Sequence, residues 1–241
     1  MSVIVSDAEV IGVLGKLGEG LSVSDQATLL TFRPGVINAI KHHIGYDPEF
    51  VEGRVEYLPN SDVRIPDNYL LLTHLPVRSI DTINIDLEGR YGQKDSSFSG
   101  ANLRAGDDYA IEYDTSSQFS LSGHVIRYGG YWPSEPGSIK ITYDSGYLED
   151  EFRGNSSTML DASGVKSAAL LTLKKIFGTI GGSRLMTGVD APGPISGERA
   201  GDYSYTVNQN IVQQLSGQKI QLSPEAIQYL EPFVSYNRFA S

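Results

Sequence analysis

The sequence predicts an α+β protein: a small, discontinuous helical bundle carrying a large inserted antiparallel β domain, a sandwich or barrel. Three observations predict it. Asp161–Gly178, DASGVKSAALLTLKKIFG, and the two residues after it place Val165, Ala168, Ala169, Leu173, Ile176 and Ile180 at the spacing of one buried helical face. Residues 50–148 break instead into six short strand-like runs separated by Asn, Asp, Gly, Pro and Ser. Helical signals lie on both sides of those runs, and amphipathic helices bury their apolar faces most simply against one another.

Taken in order, residues 1–21 read as an N-terminal arm, because Gly12, Gly15, Gly18 and Gly20 punctuate it and do not favour a long helix. These glycines lack the preceding strand and the Gly-Lys-Ser/Thr ending of a phosphate-binding loop. From Ser22 or Ser24 a capped helix follows, with Leu29, Phe32, Val36, Ile40 and Ile44 as its stripe and Gly45 as its stop. Pro34-Gly35 is expected to kink that helix or divide it.

The strand-like runs are VEGRVEYL, YLLLTHL, IDTINIDL, YAIEY, GHVIRYG and SIKITYDSGY, with Ser96–Asp107 as an exposed loop. A polar link, LEDEFRGNSSTML, leads to the helix at Asp161, which Asp161 or Ser163 caps and Lys174, Lys175 and Gly178 close. A last short helix starts at Ser223-Pro224 and carries Ala226, Ile227, Leu230 and Phe233. The expected domains are therefore 22–49 with 149–180 and 219–241 as the bundle, and 50–148 as the β insertion. Residues 181–218, rich in glycine, form an extended arm suited to binding.

Composition bounds the function. The 241 residues are 40% hydrophobic, enough to bury a core, and carry a net charge of −10 with no cysteine. That charge argues against phosphate-backbone attraction as the main activity, and the missing thiols exclude a disulfide framework, a thiol nucleophile and cysteine-held metal. MSVIVSDAEVIGVLG lacks a basic leader region, and no window approaches the roughly 18 apolar residues of a membrane span. A soluble protein made in the cytosol, without membrane attachment, is expected.

Catalytic constellations are sparse. His42 and His43 are adjacent, so on a helix they point about 100° apart and do not share one metal; His74 and His124 have no spacing that pairs them. No GxSxG, HExxH or EF-hand pattern appears. Asp107, Asp108, Asp144 and Glu149-Asp150-Glu151 offer carboxylates for acid/base chemistry, though a solvated acidic surface is the simpler reading. Trp132 with Tyr128 and Tyr131 offers a stacking surface for a sugar or base, or an aromatic turn packed on its own sheet. No cofactor or metal is expected.

LLLTHLPVRSIDTINID, GDDYAIEY, GHVIRYGGYWPSEPGSIKITYDSGY, KSAALLTLKKIF, GERAGDYSYTV and LSPEAIQYLEPF occur in that order. Between residues 22 and 236 the chain thus resembles the head–tail connector (head completion, or neck adaptor) proteins of tailed bacteriophages. Its most distinctive parts are Leu75-Pro76-Val77 with Ser79 and Ile80, the ITYDSGY strand feeding a helix, and the segment Gly197–Ser204.

The resemblance implies a structural virion protein at the capsid vertex, assembled in the host cytoplasm. It implies a dodecameric ring of copies of itself under the portal that extends the DNA channel, helps retain the packaged genome and docks the tail or a further neck protein. Double-stranded DNA would pass without specific binding. The segment expected to grip the portal is Gly181–Asn210, with Arg184, Glu198, Arg199, Asp202, Tyr203 and Tyr205 as contacts, and Lys166, Lys174 and Lys175 are expected to be free to meet acidic neighbours in the ring. The β insertion is large beside compact members of the family.

The charge balance is compatible with passing DNA: residues 50–148 hold 14 acidic and 8 basic side chains, net −6, leaving −4 for the rest, so both parts repel phosphates. Two other classes compete, a carboxylate-based glycan hydrolase and a carbohydrate-binding β module built on Trp132.

Overall fold

A computed structural model describes residues 4–15, 23–59, 68–86, 98, 102–113, 119–155, 160–177 and 220–234. For 13–15, 23–25, 28, 29 and 177 it describes the backbone alone. The chain is an α+β mixture that separates into two compact units, one of 1–44, 149–156 and 161–234 and one of 45–148, 157–160 and 235–241.

In the first unit, helix α1 (Asp7–Gly15) forms within the stretch expected to be an arm and packs on later helices. A capping box starts it: Glu9 N–H donates to Ser6 Oγ (3.3 Å) while Ser6 N–H donates to Glu9 Oε2 (2.9 Å), satisfying two orphan amides. Ile4, Val5 and Val10 are buried, which offsets the weak glycine-containing helix.

Helix α2 (Val23–Ile44) runs through Pro34 without being divided. Pro34 faces solvent, whereas Phe32, Val36, Ile37, Ile40 and Ile44 are all buried, so apolar packing on both sides of the proline outweighs its missing N–H. Leu29 lies among the side chains not described. Gly45, at φ +96°, ends the helix as expected.

Within the link before the main helix, Glu149–Phe152 forms a one-turn helix, α3, that buries Phe152 completely. Helix α4 (Ser163–Phe177) opens where Asp161 accepts the Ser163 N–H at 2.8 Å, a bond that holds the Asp161 carboxyl below its usual range. Val165, Ala168, Ala169 and Leu173 are buried as their spacing requires; Ile176 is half-buried, and Gly178 and Ile180 lie outside the described residues.

Helix α5 (Pro224–Leu230) has proline in its first turn and Ser223 Oγ accepting from Ala226 N at 3.1 Å. A 3₁₀ turn, Glu231–Phe233, extends it. It packs closely on α4: a Cβ at Gly164 would lie 2.9 Å from Tyr229 O, so only glycine permits this approach.

The second unit contains six strands, five of them within runs read from the sequence and the third starting three residues before its run at Ile80: β1 Val51–Leu58, β2 Tyr69–Leu71, β3 Val77–Ile85, β4 Tyr109–Ile111, β5 His124–Arg127 and β6 Ile139–Ser145. They form two antiparallel three-stranded sheets, ordered β1-β6-β3 and β2-β5-β4. Of the expected sandwich or barrel, a closed barrel does not form: among the described residues the pairing closes neither sheet on itself. Strand β6 is central in its sheet and alternates strictly, with Ile139, Ile141, Tyr143 and Ser145 buried.

Candidate functional site

Two of the three most distinctive parts of the resemblance, Leu75–Ile80 and Ile141–Tyr147, become neighbours in the β unit; the third, Gly197–Ser204, lies outside the described residues. Val77 pairs with Ser145, Ser79 with Asp144 and Ile80 with Tyr143. On the other side of β6, Arg54 pairs with Tyr143 and Val51 with Ser145. Both flanking strands are irregular here, between Val51 and Arg54 and between Val77 and Ser79.

Asp144 spans those two irregularities. Its Oδ1 accepts the Gly53 N–H at 2.8 Å and its Oδ2 accepts the Ser79 hydroxyl at 2.9 Å. Both carboxylate oxygens therefore hold neighbouring strands in register, and Asp144 is a positioning group rather than a free acid/base.

Beyond Asp144 the chain turns at Gly146, φ +100°. Gly146 N–H donates to Pro76 O (2.9 Å), and Gly146 O accepts from Arg78 Nε (2.8 Å), whose guanidinium lies 5.6 Å from the centre of the Phe50 ring. Tyr147 N–H donates to Pro48 O (2.8 Å) and Tyr147 O accepts from Phe50 N (3.1 Å), so the segments entering and leaving the insertion are bonded together. Tyr46 is buried against Tyr147; burial first, then Tyr147, pushes its phenol well above the usual range.

On the buried face of the same sheet sits a polar cluster. Glu56 Oε2 accepts from Tyr143 OH (2.7 Å) and Thr73 N (3.3 Å), and Thr73 Oγ1 donates to Glu56 Oε1. Arg54 Nε donates to Ser145 Oγ (3.0 Å), and His74 N–H reaches Tyr143 OH at 3.4 Å. Burial and the adjacent Glu56 carboxylate push the Tyr143 phenol far up, so it stays protonated and keeps donating. Both oxygens of Glu56 accept from groups of its own chain, which suits a structural clamp.

Some of the other carboxylates are also engaged locally. Asp108 accepts the Arg104 N–H at 2.7 Å, and Asp107 is mostly exposed beside the same arginine. Glu149 pairs with Arg153, Asp150 is exposed, and Glu151 is buried in α3. Trp132 is 5% exposed, donates through Nε1 to Asn68 O (2.9 Å) and lies under the Arg127 guanidinium, so its ring is packed on its own sheet and presents no stacking face. Tyr131, by contrast, is 72% exposed and Tyr128 is half-exposed.

Lys166 is not free as expected: its Nζ donates to Glu9 Oε1 at 2.6 Å inside the helical unit, joining α4 to α1. Lys174 is half-buried, and Lys175 is exposed at a distance where it helps lower the Glu225 carboxyl, after the Glu225 N–H and Ser223. Arg184, Glu198, Arg199, Asp202, Tyr203 and Tyr205 lie outside the described residues. Among the described residues no three of His, Asp and Glu gather as metal ligands, and His124 pairs instead with Glu112 at 2.7 Å.

Sequence reasoning singled out Asp144 but not Arg54, Glu56, Thr73 or Tyr143. Their signal was the period-two placement of Arg54, Glu56 and Leu58, which puts all three on one face of β1. No family model and no curated protein sequence matches the chain. No described helix is long and apolar enough to cross a membrane.

Proposed function

We propose that this chain is a head–tail connector of a tailed phage, a structural virion protein rather than an enzyme. In this reading the helical unit is a discontinuous bundle that packs beside copies of itself into a dodecameric ring under the portal. The ring extends the DNA channel without binding DNA specifically, helps retain the packaged genome and docks the tail or a further neck protein.

One observation carries the reading. Two of the three most distinctive segments of the resemblance, separated in sequence, lie side by side and fix the base of the β unit through Val77–Ser145, Ser79–Asp144 and Pro76–Gly146. Residues that depend on each other in this way form one structural pattern, which is stronger support than several unconnected short matches. Local engagement of Asp144, Asp108 and Glu56, and burial of Trp132, favour this reading over a hydrolase or a Trp132-based lectin.

Electron microscopy of the protein mixed with portal tests the proposal. A ring added to the portal's narrow end is expected, and phage lacking the protein should fill heads that leak DNA or remain tailless. Normal tailing of such particles would overturn it. Deleting Gly181–Asn210 should abolish portal binding while leaving the two folded units intact; unchanged binding would remove that segment from the interface.

A further inference from the structure

The connection from β2 to β3, Leu72–Pro76, is held at its centre by one polar cluster. Thr73 is bonded twice to Glu56, and His74 N–H meets the Tyr143 hydroxyl that itself donates to Glu56. The next residues pass directly into the base of the unit, since Pro76 O accepts from Gly146 and Val77 exchanges bonds with Ser120. Releasing Thr73–His74 would therefore loosen the segment that links the two sheets and its attachment to Gly146.

Two atoms of the cluster have no hydrogen-bond partner and are buried: His74 Nδ1 and Arg54 Nη2. A neutral imidazole tolerates this position, because one unpaired ring nitrogen carries no net charge. A second proton changes both properties at once. It makes each ring nitrogen a donor, and it puts a cation into a half-buried site already occupied by the Arg54 guanidinium.

We propose that Leu72–Pro76 is a proton-operated latch of the β unit, closed while His74 is neutral and released when the imidazole becomes charged. The charged and titratable groups acting on His74 come from three elements. Arg54 and Glu56 belong to β1, Tyr143 to β6, and Asp47 to the segment before β1.

Glu56 and Asp47 attract a proton to His74, but the Glu56 carboxylate is already engaged by Thr73 and Tyr143. Burial, and then Arg54, oppose protonation, and their combined effect holds the imidazole below its ordinary value. The opened segment, with His74 in water, binds the proton more readily. Opening is therefore coupled to proton uptake. The closed form is fully favoured above the ordinary histidine value and loses ground as pH falls from there through the lowered one.

The test is amide exchange of residues 72–77 in the full chain between pH 7.5 and 5, corrected for intrinsic exchange rates. One linked proton raises the opening constant by up to about tenfold per pH unit within the window. The wild type is expected to lose protection at Thr73–Val77 as pH falls, and His74→Gln, which stays neutral, to hold it constant. His124→Gln should behave as wild type. So that the test does not depend on the folding of His74→Gln, the wild-type His74 ring is also titrated by NMR, where a midpoint below that of an unstructured peptide is expected. Protection independent of pH in the wild type, pH dependence unchanged in a folded His74→Gln, or an His74 midpoint at or above the peptide value would each overturn the latch.

Discussion

Replacing Gly146 by alanine tests the base of the β unit most directly. Gly146 adopts φ +100°, and an added Cβ would lie 2.4 Å from Glu49 O, 2.6 Å from Glu49 C and 2.8 Å from Phe50 N. All three are backbone atoms, so no side chain can swing away. The positive φ costs an L-residue about 1–2 kcal/mol. Relieving the clash moves 48–50 from 146–147 and endangers the Tyr147–Pro48 and Phe50–Tyr147 bonds, each worth about 1 kcal/mol. The total is about 3–4 kcal/mol. In a unit of roughly 100 residues that lowers Tm by about 12 °C or more. Trp132 is the only tryptophan and is buried within the β unit, so its fluorescence follows that unit specifically. Gly129→Ala is the control, with φ +69° but nothing within 4 Å of the new Cβ, and should show only the conformational cost. Equal losses in the two variants, or a loss under about 4 °C for Gly146→Ala, would refute the close-approach argument.

Tyr143→Phe removes a donor to a half-buried carboxylate and should destabilise the β unit by about 1.5–3 kcal/mol, read as a lower denaturation midpoint by Trp132 fluorescence. Leu173→Ala, at a site 1% exposed, should cost the helical unit about 2–5 kcal/mol in circular-dichroism melts. Glu9→Ala removes the carboxylate half of the capping box and the Lys166 pair and should speed amide exchange in α1 by about tenfold, equivalent to roughly 1.4 kcal/mol. Burial would raise the Glu9 carboxyl, but bonds from Lys166 and Ser6 outweigh it and leave it below 4.5. Protection of α1 should therefore be complete above that value and decline as pH falls through the lowered one; protection unchanged down to pH 3 would contradict the role given to Glu9.

The strands were legible because alternation is local: β1 coincides with VEGRVEYL, four others fall within their runs, and β3 overlaps IDTINIDL but starts three residues before it. What the strands pair with was not, since Val55 meets Thr142 and Ile83 meets Ile141 only after distant segments assemble, and six strands are as compatible with a barrel as with two sheets. Glycines obscured α1, although Ser6-x-x-Glu9 is a readable capping box. Pro34 suggested a break in α2 because sequence does not show that proline faces solvent while its neighbours are buried. The polar cluster was hidden for a different reason. Arg54 and Glu56 on alternate positions look like a solvated face until Tyr143, 87 residues from Glu56, supplies the hydrogen bond that makes their burial tolerable.

Polar groups on both faces of β6 restrict the β unit to one register. Asp144 ties Gly53 and Ser79 from one face, while Tyr143 and Ser145 meet Glu56 and Arg54 on the other. A slip of one residue would turn Asp144 into the buried face and remove Tyr143 from it, leaving a charged group without its partners as well as losing apolar burial. Hydrophobic alternation alone would penalise that slip through transfer free energy; the added hydrogen-bond requirement penalises it again through unsatisfied buried groups. The same residues that are poorly placed to activate a substrate are thus well placed to specify shape. On the connector reading proposed above, that division of labour is useful, because every copy in a ring must present the same β surface to its partners.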